Sequence, residues 1–217
     1  MASRQEEKER RRRERLAAEQ AAQKAASRKR TLQIGGGAVL IVAVIAVIAV
    51  VALAGGDDKG TEPSTLAANA TAAGCTFNSY KSEGRNHTTG KVKYKTNPPT
   101  SGSHNPTPAQ DGIYAPGNEP APENWVHSLE HGRVLFQYKP GTPASDIAKL
   151  QKVAEEPLND SAGYHVLMFQ NNTKMPSQYA VVAWTKSLTC DKLTPQALDV
   201  MRDFRKTYTD KGPEFIP

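Results

Sequence analysis

The chain has 217 residues and a net charge of +6, enough for one ordinary domain with accessory segments. The positive charge is confined to one end: residues 1–30 hold 11 Lys/Arg against 5 Asp/Glu, and the remainder holds 17 of each. The body of the chain is therefore electrically neutral, which removes the bulk electrostatic reason to seek nucleic acid and excludes that partner class.

Residues 1–33 form a basic arm in which Glu6, Glu7 and Glu9 stand four positions before Arg10, Arg11 and Arg13. That spacing supports a solvated helix, and the arm has too few apolar residues to dock on a core. The Arg28-Lys29-Arg30 cluster suits anionic lipid head groups. From Ile34 to Ala54 there are 21 residues without a charged or strongly polar side chain. At about 1.5 Å per helical residue they match the roughly 30 Å hydrocarbon core of a bilayer. Lys and Arg crowd the N-terminal flank, while Asp57 and Asp58 stand on the other. The charge asymmetry predicts a single-pass anchor with a cytosolic N-terminus and an extracytoplasmic C-terminal part. Ala52-Leu53-Ala54 offers a small-x-small cleavage site, but the apolar run exceeds the usual signal-peptide core of about 7–15 residues. The lipid bilayer is thus the one partner expected from the sequence.

Residues 55–73 are rich in Gly, Ala and Thr without apolar periodicity, and read as a linker. The exported domain is then 74–217. Its two cysteines, Cys75 and Cys190, are the only ones in the chain. An even pair beyond a membrane anchor predicts one disulfide.

Within the domain, Lys91–Thr96 alternates polar and apolar residues like a half-buried strand. A long stretch rich in Pro and Gly follows, and loops of this length tend to be functional. Pro122, Glu123, the apolar Trp125, Val126 and Leu129, and the stop at Gly132 predict a helix of one to two turns. Arg133–Tyr138 reads as a buried strand. Thr142-Pro143 reads as an N-cap and first helical residue, with Ile147, Leu150, Val153 and Ala154 as the apolar stripe. Tyr164–Gln170 and Gln178–Leu188 read as strands. Thr194-Pro195 repeats the capping signal before a last helix whose face is Ala197, Met201, Phe204 and Tyr208. The order implies an α+β fold: a mixed, mainly antiparallel sheet with two or three helices packed on one side.

All five histidines, His87, His104, His127, His131 and His165, lie in the exported domain. Histidine is the commonest metal ligand, and imidazoles drawn from several loops are a usual way to build a site. His127 and His131 share an ion only on a helix: four residues apart they are about 6 Å apart there, against about 13 Å on a strand. His87, His104, His127 and His131 are the candidate ligands of a zinc or copper ion, with Glu130 supporting them or acting as a catalytic base. His127-x-x-Glu130-His131 also spells the H-x-x-E-H of inverted zinc peptidases, so a metal-dependent hydrolase is one alternative. A non-enzymatic envelope module, with histidines that satisfy loop backbone, is another. Met168 and Met175 would extend a copper site, although a methionine inside VLMF reads as core. His165 reads as structural.

Four motifs carry a resemblance: PPTSGSH (Pro98–His104), GIY (Gly112–Tyr114), HSLEHGRV (His127–Val134) and Ala183-Trp184. Together they resemble a bacterial domain-of-unknown-function family whose members are membrane-anchored and exported. Ser103 stands where the family pattern has proline, and Thr185 where it has glycine. The resemblance implies a shared site at His104, His127, Glu130 and His131, and it implies no activity.

Overall fold

The structure, a computed structural model, describes residues 61–214 and Ile216. No helix among the described residues is long and apolar enough to cross a membrane. The basic arm and the apolar run Ile34–Ala54 lie outside them.

The first element overturns part of the linker expectation. Helix α1 spans Pro63–Ala72 and buries Leu66 and Ala70. Its apolar stripe is only those two side chains, one turn apart, which is too short to register as periodicity; alanine propensity and a proline in the first turn supply the rest. Gly74, at φ 70°, turns the chain into strand β1, Cys75–Ser79.

The remaining elements are β2 (Gly112–Ile113), α2 (Pro122–Glu130), β3 (Val134–Tyr138), α3 (Ala144–Ala154), β4 (Pro157–Leu158), β5 (Ser161–Ala162), β6 (Val166–Gln170), β7 (Tyr179–Ala183), β8 (Lys186–Cys190) and α4 (Pro195–Tyr208). Six strands form one sheet in the order β1-β8-β7-β3-β6-β2, and β4-β5 form a separate pair. The β1–β8, β8–β7 and β7–β3 pairs are antiparallel, and β3–β6 and β6–β2 are parallel. This is the expected α+β, mostly antiparallel arrangement, with α3 as the crossover that a parallel β3–β6 pair requires.

Residues alternate strictly between the two faces. Val134, Phe136, Val166, Met168 and Val181 point to one side, where they pack with Leu66, Leu150, Val200, Met201 and Phe204 from α1, α3 and α4. Leu135, Leu167, Phe169, Ala180 and Val182 point to the other, against Trp125, Val126 and Leu129 of α2 and Met175. The helices are therefore not confined to one side, as the sequence reading had them. The β3 and β7 strands are buried at every position, as expected for a sheet covered on both faces.

Cys75 and Cys190 face each other in the β1–β8 register and form a disulfide across 115 residues. Thr194 caps α4, its side chain accepting a bond from the Ala197 amide at 3.1 Å. The parallel expectation for Thr142 fails. Its hydroxyl donates to the Lys139 carbonyl instead, and α3 begins at Ala144 after an uncapped Pro143. Lys91–Thr96 is not a strand either, because its amides are claimed by carboxylates: Val92 donates to Glu123 and Lys95 to Glu83. Gln178–Leu188 is a hairpin, β7 and β8, turning at Trp184-Thr185. Thr185 takes φ 60° there, the left-handed conformation in which glycine carries no side-chain penalty.

Candidate metal centre

Helix α2 divides its residues between two tasks. Trp125, Val126 and Leu129 are fully buried against the sheet, while His127, Glu130 and His131 lie on the opposite stripe, three and four residues apart. The long loop runs over that second stripe. Two of its segments hold each other by a bridge between His87 and His104, in which the Thr88 amide donates to the His104 carbonyl and the His104 amide to the Asn86 carbonyl. The Asn105 amide then donates to the Glu123 carbonyl of α2 at 3.0 Å, which sets His104 above His127.

Three imidazoles converge. Ring centroids are 5.1 Å apart for His87 and His104, 5.0 Å for His87 and His127, and 4.8 Å for His104 and His127. With Glu130 they offer four ligand atoms within 4.8 Å of one another, a buried cluster that can hold a metal ion. His104, His127 and Glu130 are buried, and His87 forms the exposed edge. Trp184 meets the edge of His104 at 6.3 Å.

The backbone fixes which ring nitrogens carry protons. His104 Nδ1 lies 2.8 Å from the Gly102 carbonyl, and His127 Nδ1 lies 2.6 Å from the Asn105 carbonyl. A carbonyl only accepts, so both rings are Nδ1–H tautomers and present Nε2 lone pairs to the cluster. This is the support that metal-bound histidines usually have.

His104 Nε2 is fully buried and lies 2.9 Å from Glu130 Oε2, yet it has no hydrogen-bond partner in acceptable geometry. Two lone-pair donors thus stand side by side without pointing at each other. Ligands on one ion at about 2.0–2.1 Å, at angles between octahedral and tetrahedral, are separated by roughly 2.9–3.4 Å. The His104–Glu130 pair has that spacing.

His131 is placed differently. Its Nε2 lies 2.9 Å from His127 Nε2, and with Glu130 and Glu214 it forms a second group of convergent ligand atoms. Glu214 arrives from the C-terminal segment, whose amides at Asp210 and Glu214 donate to the Gly132 and Glu130 carbonyls at 2.9 and 3.1 Å. No sequence signal marked Glu214, because its position depends on that long-range docking. Burial pushes the His131 imidazole down to about 4, with the adjacent His127 ring adding to the effect. Burial also lowers His127; the Asn105 bond opposes that, and the His104 and His87 rings reinforce it.

The other sequence candidates are elsewhere. His165 Nδ1 donates to the Asp210 carboxylate at 2.6 Å, and its ring stacks on Tyr164. Met168 and Met175 are buried in the two halves of the core, one on each face of the sheet, so the thioether extension for copper is not built.

No curated protein and no solved structure matches the chain. A family model described as "Protein of unknown function (DUF3105)" matches residues 86–215, a span that encloses His87, His104, His127, Glu130, His131 and Glu214. The chain belongs to that family.

Proposed function

We propose that the chain is a single-pass membrane protein whose extracytoplasmic domain binds a transition-metal ion through His87, His104, His127 and Glu130. The observation that carries this reading is the fully buried His104 Nε2, which faces the Glu130 carboxylate at 2.9 Å without a hydrogen bond. A buried acceptor without a partner costs roughly 1–3 kcal/mol, and a cation between the two groups removes that cost. Three imidazoles and one carboxylate suit zinc or copper(II) and lack the soft sulfur donors that favour copper(I). Four protein donors correspond to a closed binding site, in contrast to a catalytic one with a free position. The hydrolase reading asks Glu130 to activate water, but its side chain is 3% exposed and belongs to the four-donor set.

The anchored topology rests on the apolar run Ile34–Ala54 and the charge asymmetry across it. The Cys75–Cys190 disulfide supports an oxidising compartment for the domain.

The test uses the full-length chain, purified after expression with zinc or copper supplied and assayed for bound metal by mass spectrometry. At least one ion per chain is expected. His87→Ala, which removes the exposed ligand and leaves the fold intact, is expected to weaken zinc binding beyond the roughly 10–100-fold cost of losing a supporting hydrogen bond. Substoichiometric metal in the unmodified chain under both supplements overturns the reading.

A further inference from the structure

Glu130 belongs to both convergent groups, the first with His87, His104 and His127 and the second with His131 and Glu214. We propose that Glu130 is a bridging carboxylate between two metal positions, the second of them held by His131 and Glu214. The inference rests on the metal-binding reading of the first group and adds a second ion to it.

The two Glu130 oxygens face different surroundings: Oε2 stands against His104, and Oε1 lies 3.9 Å from the Arg85 guanidinium. A carboxylate serves two ions by splitting its oxygens between them, and metal pairs in proteins are typically about 3.5–4 Å apart. Arg85 is largely exposed, its side chain at 57%, and is free to swing away when a cation replaces it.

His131 is the independent sign of a second ligand. It is 7% exposed, and its only ring hydrogen bond among the described residues is Nε2 to His127 Nε2. His127 carries its proton on Nδ1, so its Nε2 accepts and His131 Nε2 donates. The neutral His131 ring therefore keeps its lone pair on Nδ1, which has no protein hydrogen bond among the described residues. An unpaired imidazole lone pair grouped with two carboxylates fits a divalent cation.

Glu214 is brought there by a built segment. Its amide donates to the Glu130 carbonyl, the Asp210 amide donates to the Gly132 carbonyl, and Arg133 Nη1 holds the His131 and Ile216 carbonyls. The Arg133 charge is also drawn toward Asp111, 3.3 Å from its Nε, and Glu214 is the carboxylate that opposes it at His131. Two carboxylates and four imidazoles leave a pair of dications with residual positive charge, so an anionic ligand such as hydroxide or phosphate is the chemical class that completes the pair.

The experiment is zinc stoichiometry of the full-length chain at saturation, beside a cobalt(II) titration followed by its visible absorption. The expected result is two zinc ions per chain and two phases of cobalt binding, falling to one ion and one phase in Glu214→Gln. The exposed Glu214 side chain makes that variant safe for folding, and Glu155→Gln, an exposed carboxylate just past the end of α3, should keep both ions. One zinc in the unmodified chain overturns the second position and leaves the first standing. Two in Glu214→Gln also overturns it. No bound zinc overturns both readings together.

Discussion

His127 and His131 are hydrogen-bonded to each other through their Nε2 atoms at 2.9 Å, one helical turn apart at the end of α2. Because the Asn105 carbonyl holds the His127 proton on Nδ1, His131 is the donor. A metal ion at His127 takes over the lone pair that His131 now uses, so loading the first position and freeing His131 are one event. The pair is a contact between neighbours in the metal-free chain, and each ring leads into a different ligand group.

That relationship gives the metal-free domain a signed pH dependence. The His131 imidazole falls from its ordinary 6.5 to about 4 on folding, first through burial and then through His127. Between those values the unfolded chain binds a proton that the folded chain refuses, so stability rises with pH across that window. It is fully present above about 6.5 and is lost as pH falls toward about 4. Urea unfolding in the presence of a chelator should show this decline, and His131→Gln should flatten it. An equal decline in the variant would mean that His131 does not titrate as its burial implies.

The loop that carries His104 depends on Gly102. Its φ is 126°, and an added Cβ would lie 3.1 Å from the Tyr94 ring, while its carbonyl orients His104 Nδ1. Gly102→Ala therefore meets both a backbone and a packing obstacle, with an expected loss of about 1–3 kcal/mol in stability. Zinc affinity should fall with it, since the tautomer of His104 is set by the displaced carbonyl. Calorimetric zinc titration and urea unfolding check the two effects. An unchanged zinc affinity would show that His104 is not positioned through Gly102.

The ligand loop and the disulfide lie at different parts of the sheet, which permits a separable prediction. Joining Cys75 to Cys190 closes 115 residues, and a loop of that length corresponds to about 5 kcal/mol in the chain-entropy account. Cys75→Ser/Cys190→Ser should lower the thermal midpoint strongly. Below the new midpoint zinc affinity should be unchanged, because the ligands come from α2 and the long loop. A loss of affinity in the still-folded double variant would tie the metal centre to the β1–β8 edge.

Much of this arrangement was legible from residue patterns, and the exceptions share one cause. The β3 and β6 segments, the short α2 ending before Gly132 and the capped α4 all announce themselves through local periodicity or capping, while β7 and β8 read as one continuous strand. The histidines at 87, 104, 127 and 131 were visible as candidates because the residue type is chemically informative. Helix α1 was hidden because Leu66 and Ala70 are too few to make a pattern. The nonstrand conformation of Lys91–Thr96 was hidden because Glu123, 31 residues from Val92, competes for its amide. The placement of α2 on the opposite face of the sheet follows from alternate strand residues that are apolar on both sides, a feature that does not say which helix covers which face. Glu214 is the extreme case: its place beside His131 depends entirely on a segment folding back over the end of α2.

That segment offers the last test. A Cβ on Gly212 would collide with the Glu130 carbonyl and the Gly132 amide, and a Cβ on Gly132 would meet the Asp210 backbone at 2.7 Å. Glycine at both positions lets two backbones approach as no other residue would allow. Gly212→Ala must push the C-terminal segment away from α2, breaking the bonds from the Asp210 and Glu214 amides. The expected cost is about 1–3 kcal/mol, the range for forcing volume into a packed contact. Hydrogen exchange should quicken at the Asp210 and Glu214 amides while the sheet amides keep their protection. The segment bonds the Glu130 carbonyl and not its carboxylate, so the first metal position should persist in the variant. If exchange at those two amides is unaltered, the segment is not held by the contact that brings Glu214 to His131.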